Sequence, residues 1–264
     1  MASNEQSARA AASLIWASWQ SGQRLEQLPE HCRPRTLAEG YAAQAMLEEV
    51  SGSASVGWKI AATNVTGRRH IGVDGPIAGR LLSARIVRGD EPVPIADNLM
   101  RVAEAEFAFV LSADLPARRR RYSPREVRDC VTSLHPAIEL PDSRFRDFAA
   151  AGGPQLAADN ACAGWFMLGP PADDGWRHAD LAAHPVSLTI NGRETSAGHG
   201  ADVLGGPLTA LAWLANSHEE RSCGLLAGDV VTTGVCGSPC PIQARDAVCA
   251  DFGPFGRVSL TLAE

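Results

Sequence analysis

Val102-Ala103-Glu104-Ala105-Glu106-Phe107-Ala108-Phe109-Val110-Leu111 is an apolar run broken by two acids, and its alternation decides the fold. Side chains alternate across a strand, so Ala103, Ala105, Phe107, Phe109 and Leu111 share one face, which reads as core. The opposite face carries Val102, Glu104, Glu106, Ala108 and Val110, with the two carboxylates roughly 7 Å apart. Like charges among apolar neighbours raise each other's pKa, and such a site must accept protons or recruit a cation. A hard divalent ion with oxygen ligands is the usual solution. The plainer alternative is a half-exposed strand with two solvated glutamates. Glu139 tips the balance as a third candidate, set in Pro136-Ala137-Ile138-Glu139-Leu140. An acid inside a short apolar strand is rarely buried unless paired or ligating.

Lys59 stands in Val56-Gly57-Trp58-Lys59-Ile60-Ala61-Ala62, again a charge within an apolar strand. It is either an edge lysine that snorkels to water or a cation that pairs a substrate carboxylate or moves a proton. Asp142-Ser143-Arg144 and Asp159-Asn160 lie close by in sequence and are compatible with turn chemistry alone. Gly198-His199-Gly200-Ala201-Asp202-Val203 starts like a dinucleotide fingerprint but lacks the third glycine and the leading strand.

Working outward, residues 8–20 carry Ala11, Ala12, Ile15 and Trp19 at helical spacing, and a second helix is expected over 36–50. Beyond Ser51-Gly52-Ser53, short apolar runs separated by Gly, Pro, Asp and Asn predict a β-rich region. Expected strands are 56–62, 102–111, 135–140, 164–168, 186–190, 229–233 and 258–262, with helices at 124–134 and 208–216. Asn191-Gly192 predicts a type I′ hairpin turn. The class is therefore α+β, divided as a helical segment over 1–52 and a β-rich catalytic domain over 53–264.

The chain has 264 residues, 45% hydrophobic and 20% charged, an ordinary globular composition. A net charge of −6 argues against non-specific nucleic-acid binding, and the basic run Arg118–Arg121 reads as a solvated loop. No apolar stretch is long enough for a membrane span, and the first residues lack a basic signal-peptide region. Seven scattered cysteines read as reduced thiols, which places the protein in the cytoplasm.

These stretches, with Gly72-Val73-Asp74-Gly75-Pro76, Leu211-Ala212-Trp213-Leu214-Ala215 and Gly228-Asp229-Val230-Val231-Thr232-Thr233-Gly234, occur in a telling order. Together they resemble the 2-keto-4-pentenoate hydratase / 4-oxalocrotonate decarboxylase family of the fumarylacetoacetate hydrolase superfamily. The resemblance implies a helical N-terminal segment followed by a mixed β-roll. It implies Mg²⁺ (or Mn²⁺) held by Glu104, Glu106 and Glu139, with Lys59 as the active-site lysine. It also implies Ile77, Arg144, Asp159, Asn160 and Cys162 as substrate-side positions. The implied substrates are small 2-hydroxy-2,4-dienoates and related 2-oxo acids, handled by a homo-oligomer or beside a partner enzyme of the same pathway.

The sequence departs from the family pattern at informative places. Where hydratases commonly carry an acid after the Asp-x-Pro proline, this chain has Ile77, which favours the decarboxylase branch. Ala78 replaces an aromatic, Ala61 a glycine and Cys162 a serine, so a wider and more apolar pocket is expected. A metal-dependent hydratase leads this reading, followed by a 4-oxalocrotonate-type decarboxylase. An acylpyruvate-type C–C hydrolase, a non-catalytic partner subunit and Schiff-base chemistry at Lys59 remain as further alternatives.

Overall fold

The computed structural model describes residues 2–217, 221 and 223–264. Its helices are α1 Ala2–Ser21, α2 Leu37–Ala45, α3 Leu47–Ser51, α4 Val65–Ile71, α5 Pro124–Asp129, α6 Phe148–Ala151, α7 Gly153–Ala158 and α8 Pro207–Asn216. Its strands are β1 Ser55–Ala61, β2 Ile77–Leu82, β3 Val93–Pro94, β4 Val102–Leu111, β5 Val131–Leu140 and β6 Trp165–Leu168. They continue as β7 Pro185–Ile190, β8 Arg193–His199, β9 Val230–Val235, β10 Cys240–Pro241, β11 Ala247–Asp251 and β12 Arg257–Ala263.

Two sheets form, as the α+β expectation required. The larger runs β2-β1-β9-β4-β5-β6, with β10 also on β4, and the smaller runs β3-β12-β11-β7-β8. The larger sheet is mixed, because β1 lies parallel to β9 while β4 is antiparallel to both β5 and β9. The opening decapeptide is its spine. Ala103, Ala105, Phe107, Phe109 and Leu111 all enter the main core, on the face expected from alternation. Phe107 meets Phe252 edge-on at 4.8 Å between ring centroids, which ties the large sheet to the end of β11.

The N-terminal helices cover a second core. Ala11, Ala12 and Ile15 of α1 and Leu47 of α3 pack with Phe145, Leu156, Ala161 and Cys162. That packing buttresses a segment after α7 that bears on the functional site. α2 starts at a capping box in which Thr36 and Glu39 satisfy each other's backbone. The helix expected over 36–50 is split, since Met46 N–H bonds Ala43 O in a tighter turn before α3 begins.

The helix expected over 124–134 is a correction. α5 stops at Asp129, and Val131 already pairs with Leu111 of β4. The β-branched Val131-Thr132 pair and the open edge of β4 outweigh helical periodicity there. Asn191 and Gly192 adopt φ of 53° and 76°, as a type I′ turn requires. Sequence patterning missed α4 and β2, both short and rich in glycine or charge.

Phe107→Ala should lower the unfolding free energy by about 3–5 kcal/mol in urea titration, because the pocket between the sheets cannot collapse. A loss under about 1 kcal/mol would show that the sheets are not joined there.

Candidate metal and active site

β4 and β5 bring the acids together by register. Glu104 lies directly opposite Glu139, and Glu106 lies opposite Ala137. One oxygen from each of Glu104, Glu106 and Glu139 can be chosen so that all lie within 4.8 Å of one another. Lys59 reaches the group from β1, which is separated from β5 by β9 and β4. Three strand spacings would be about 14 Å in a flat sheet, yet Lys59 Nζ lies 3.0 Å from Glu139 Oε1. Sheet curl and two long side chains close that gap.

Glu106 and Glu139 are each 1% exposed and Lys59 is 2% exposed, so bulk water does not screen these charges. Glu106 Oε2 is held from behind, accepting from Thr232 Oγ1 and from Gly234 N at 3.0 Å. Glu106 Oε1 and both oxygens of Glu139 are buried without a hydrogen-bond partner, Lys59 serving Glu139 only as an ion pair. Glu106 Oε1 and Glu139 Oε2, buried with no partner of either kind, fit a hard cation. Charge agrees, because three carboxylates against one ammonium leave the two negative charges that a divalent ion offsets.

Desolvation raises the Glu104 carboxyl to about 7, helped by repulsion from Glu139. Burial likewise pushes Glu106 well up, with Glu139 and Glu104 adding to it, and pushes Glu139 up against the pull of Lys59. Burial alone would lower Lys59, but Glu139, Glu104 and Glu106 overcome it and raise the ammonium above its usual range. An amine held in its charged form in this way is a poor Schiff-base nucleophile.

The other partner of Lys59 comes from backbone placed at a cost. Asn160, Ala161 and Cys162 follow α7 with φ of 56°, 53° and 59°, three successive left-handed residues without a glycine. Such residues cost of order 1–2 kcal/mol each. The turn aims Ala161 O at Lys59 Nζ, 2.9 Å away. Asn160 clamps it to β2, accepting from Arg80 N at 2.6 Å and donating to Arg80 O at 2.9 Å. Behind it Arg144 and Asp159, both fully buried, form an ion pair. Ser143 Oγ donates to the same carboxylate at 2.7 Å, and Arg144 Nη1 donates to Ala163 O at 2.6 Å.

A cavity of about 540 Å³ opens beside the acids. Lys59, Glu104 and Cys162 line it, whereas Ile77, Arg144, Asp159 and Asn160 are not among its described lining residues. Ile77 is buried in the second core with Ala161 and Cys162, and Ala78 in the main core. The structure therefore sets Arg144, Asp159 and Asn160 behind the wall, holding the turn that presents Ala161 O. Burial pushes the Cys162 thiol up to about 12, with Asp159 adding to it, so the thiol stays protonated.

Several contributors escaped sequence reasoning. Thr232 and Gly234 orient Glu106, although only their strand was apparent from the sequence. Gly234 has φ of 102°, and a Cβ there would lie 2.3 Å from Thr63 Oγ1, so no other residue fits. The α4 face bearing Thr66, His70 and Ile71 walls the cavity, as does Asp202 from the stretch set aside as a failed dinucleotide motif. Asn64 capping Gly67 N was the available signal for α4.

Comparison with known proteins agrees with this architecture. Residues 81–263 match the fumarylacetoacetate (FAA) hydrolase C-terminal family. The chain belongs to the fumarylacetoacetate hydrolase family, in its hydratase/decarboxylase branch. It is 33% identical to a 2-keto-4-pentenoate hydratase of Burkholderia vietnamiensis (strain G4 / LMG 22486), covering 92% of this chain and 93% of that protein. A second 2-keto-4-pentenoate hydratase, from Paraburkholderia phymatum, is 32% identical over the same shares. In three dimensions the chain superposes on 4-oxalocrotonate decarboxylase from Pseudomonas putida G7 in complex with magnesium and adipate. The TM-score there is 0.87 at 26% identity, covering 97% of both chains. The same decarboxylase with calcium and acetate gives a TM-score of 0.85. The solved relative thus carries magnesium or calcium, and here an acidic triad with free oxygens suits a metal ion. Among the described residues no helix is long and apolar enough to cross a membrane.

Two outcomes follow. Glu106→Gln should weaken Mg²⁺ binding by more than about tenfold in calorimetry, since it removes a charged ligand; unchanged affinity would exclude Glu106 as a ligand. The second concerns pH without metal. The three carboxyls sit above their unfolded values, so between about 4.3 and the value of about 7 at Glu104 the folded state binds more protons than the unfolded chain. Stability therefore falls as pH rises through that window. Melting curves of metal-free protein should shift down from pH ~5 to pH ~8 and recover with Mg²⁺, most at the upper end. A flat profile would mean that the acids are not buried together.

Proposed function

We propose that this protein is a divalent-metal-dependent lyase, with Mg²⁺ or Mn²⁺ as the working ion, that adds water to a small 2-hydroxy-2,4-dienoate. The observation carrying this reading is the grouping of Glu104, Glu106 and Glu139 beside Lys59 and next to a cavity, with Glu106 Oε1 and Glu139 Oε2 buried and unpartnered. Glu104, Glu106 and Glu139 would hold the ion. When bound, such an ion would supply positive charge to attract a 2-oxo acid head and to offset the negative charge of its enolate form.

The remaining work falls to the chain's own groups. Lys59 holds a proton at Nζ between Glu139 and Ala161 O, pointing from β1 into the site. It supplies that proton to C5 of the dienolate, which leaves a C3=C4 double bond conjugated with the 2-oxo group and makes C4 the acceptor for water; the proton the water loses is taken up by the Lys59 amine and passed to C3. Thr232 Oγ1 and Gly234 N fix Glu106, so that carboxylate need not reorganise as charge develops. Apolar side chains such as Ile71, Met100 and Val235 shield the carbon tail from bulk water. Hydratase relatives at 32–33% identity over more than nine-tenths of the chain support the reading.

Decarboxylation of a 4-oxalocrotonate-like acid is the second reading, favoured by one observation. Ile77, 2% exposed, stands at the sequence position where the resemblance to hydratases implies an acid, so this chain has no carboxylate there. Both reactions pass through the same dienolate and differ in the bond broken.

Incubation with 2-hydroxypentadienoate and, separately, 4-oxalocrotonate decides between them, following dienol absorbance and CO₂ release. The expected result is dienol loss with the first substrate, abolished by EDTA and restored by Mg²⁺. CO₂ release from the second alone would assign decarboxylation. Lys59→Met should lower kcat by about 10²–10⁴-fold while Mg²⁺ still binds; full activity would remove Lys59 from proton transfer.

A further inference from the structure

The cavity is larger and greasier than a five-carbon acid needs. Its volume of about 540 Å³ falls well inside the range for drug-sized ligands. Beyond Lys59 and Glu104 its wall has an apolar majority that includes Ala61, Ile71, Met100, Val102, Cys162 and Val235, interrupted by the uncharged polar side chains of Thr63, Asn64, Thr66 and Ser238. Ala61 and Cys162 are two of the departures from the family pattern, and both do face this space.

The charges around the cavity are equally informative. Among the described lining residues Lys59 is the one lysine, and there is no arginine. Lys59 is already engaged by Glu139 and Ala161 O. The ionisable groups on the wall apart from Lys59 and Glu104 are Asp202, His70 and the Cys162 thiol. Asp202 Oδ2 is pinned by the backbone N–H of His199 at 2.9 Å and of Gly237 at 2.8 Å, which fixes an acid there. His70 packs edge-on against Phe148, 5.4 Å between centroids, on the exposed side of α4. A second carboxylate entering this space would lose water, gain no guanidinium or free ammonium and approach an acid. An apolar tail would exchange water for aliphatic contacts.

We propose that this cavity selects a 2-oxo or 2-hydroxydienoic acid with a single carboxylate and an apolar tail of several carbons, and rejects dicarboxylates of matching length. The proposal rests on the triad gripping the 2-oxo acid head, as set out under the proposed function. It separates this chain from its structural relative captured with adipate, a dicarboxylate. It also weighs against the decarboxylation reading, because 4-oxalocrotonate carries two carboxylates.

The test is calorimetry on the intact protein saturated with Mg²⁺, titrated with pyruvate, 2-oxohexanoate, 2-oxooctanoate and 2-oxoadipate. Affinity should rise from pyruvate to 2-oxooctanoate by roughly three- to fourfold per methylene buried. 2-Oxohexanoate should bind at least about tenfold tighter than 2-oxoadipate. Equal or tighter binding of 2-oxoadipate, or no gain with tail length, would overturn the tail proposal while leaving the metal-centred reading intact. Failure of all four to bind would overturn the 2-oxo acid grip itself, and the tail proposal with it. Met100→Lys, which places an ammonium on the wall, should narrow or invert the preference for 2-oxohexanoate over 2-oxoadipate. An unchanged ratio in a folded variant would put the tail elsewhere and overturn the proposal.

Discussion

Three carboxylates and one ammonium crowd together at the inner end of one cavity, and the surrounding architecture serves that arrangement. Glu106, Glu139 and Lys59 are buried almost completely, with Glu104 beside them on β4. Leaving charges unpaired in such a place costs several kcal/mol each. Lys59 offsets one of them, and protons or a divalent cation must offset the rest. Protons are the response of the metal-free protein, seen in the upward shifts of all three carboxyls. A metal ion is the response that leaves the acids ionised and gives a 2-oxo acid something to bind.

The fold supplies the geometry in layers. Register across β4 and β5 sets Glu104 opposite Glu139, while sheet curl brings Lys59 within reach of them. β9 holds Glu106 through Thr232 and the N–H of Gly234. The strained left-handed turn over 160–162 offers Lys59 a carbonyl, and the buried Arg144–Asp159 pair keeps that turn in place. The N-terminal helices press on the same turn through the second core. The helical segment therefore contributes to the site without placing a side chain on the acids.

Much of this was legible because strand alternation is a strict code. The decapeptide 102–111 predicted both its core face and its acidic face, and Glu139 stood out as an acid in an apolar strand. Residues whose role depends on backbone shape were not legible. Ala161 acts through its carbonyl, and nothing about an alanine announces a positive φ. Arg144, Asp159 and Asn160 are substrate-side positions by the family resemblance and turn residues by their own chemistry, and in the fold they spend their hydrogen bonds on each other, on Ser143 and on backbone. α5 was drawn too long because the sequence could not show the open strand edge that captures Val131. His70 comes from α4 and Asp202 from the turn after β8, and only the fold brings them to one cavity.

The central claim is that Glu104, Glu106 and Glu139 together form the metal centre. Anomalous diffraction from crystals grown with Mn²⁺ tests it most directly. The account predicts a single strong peak within bonding distance of all three carboxylates and close to Lys59. A peak elsewhere, or none at a concentration that supports activity, would contradict it.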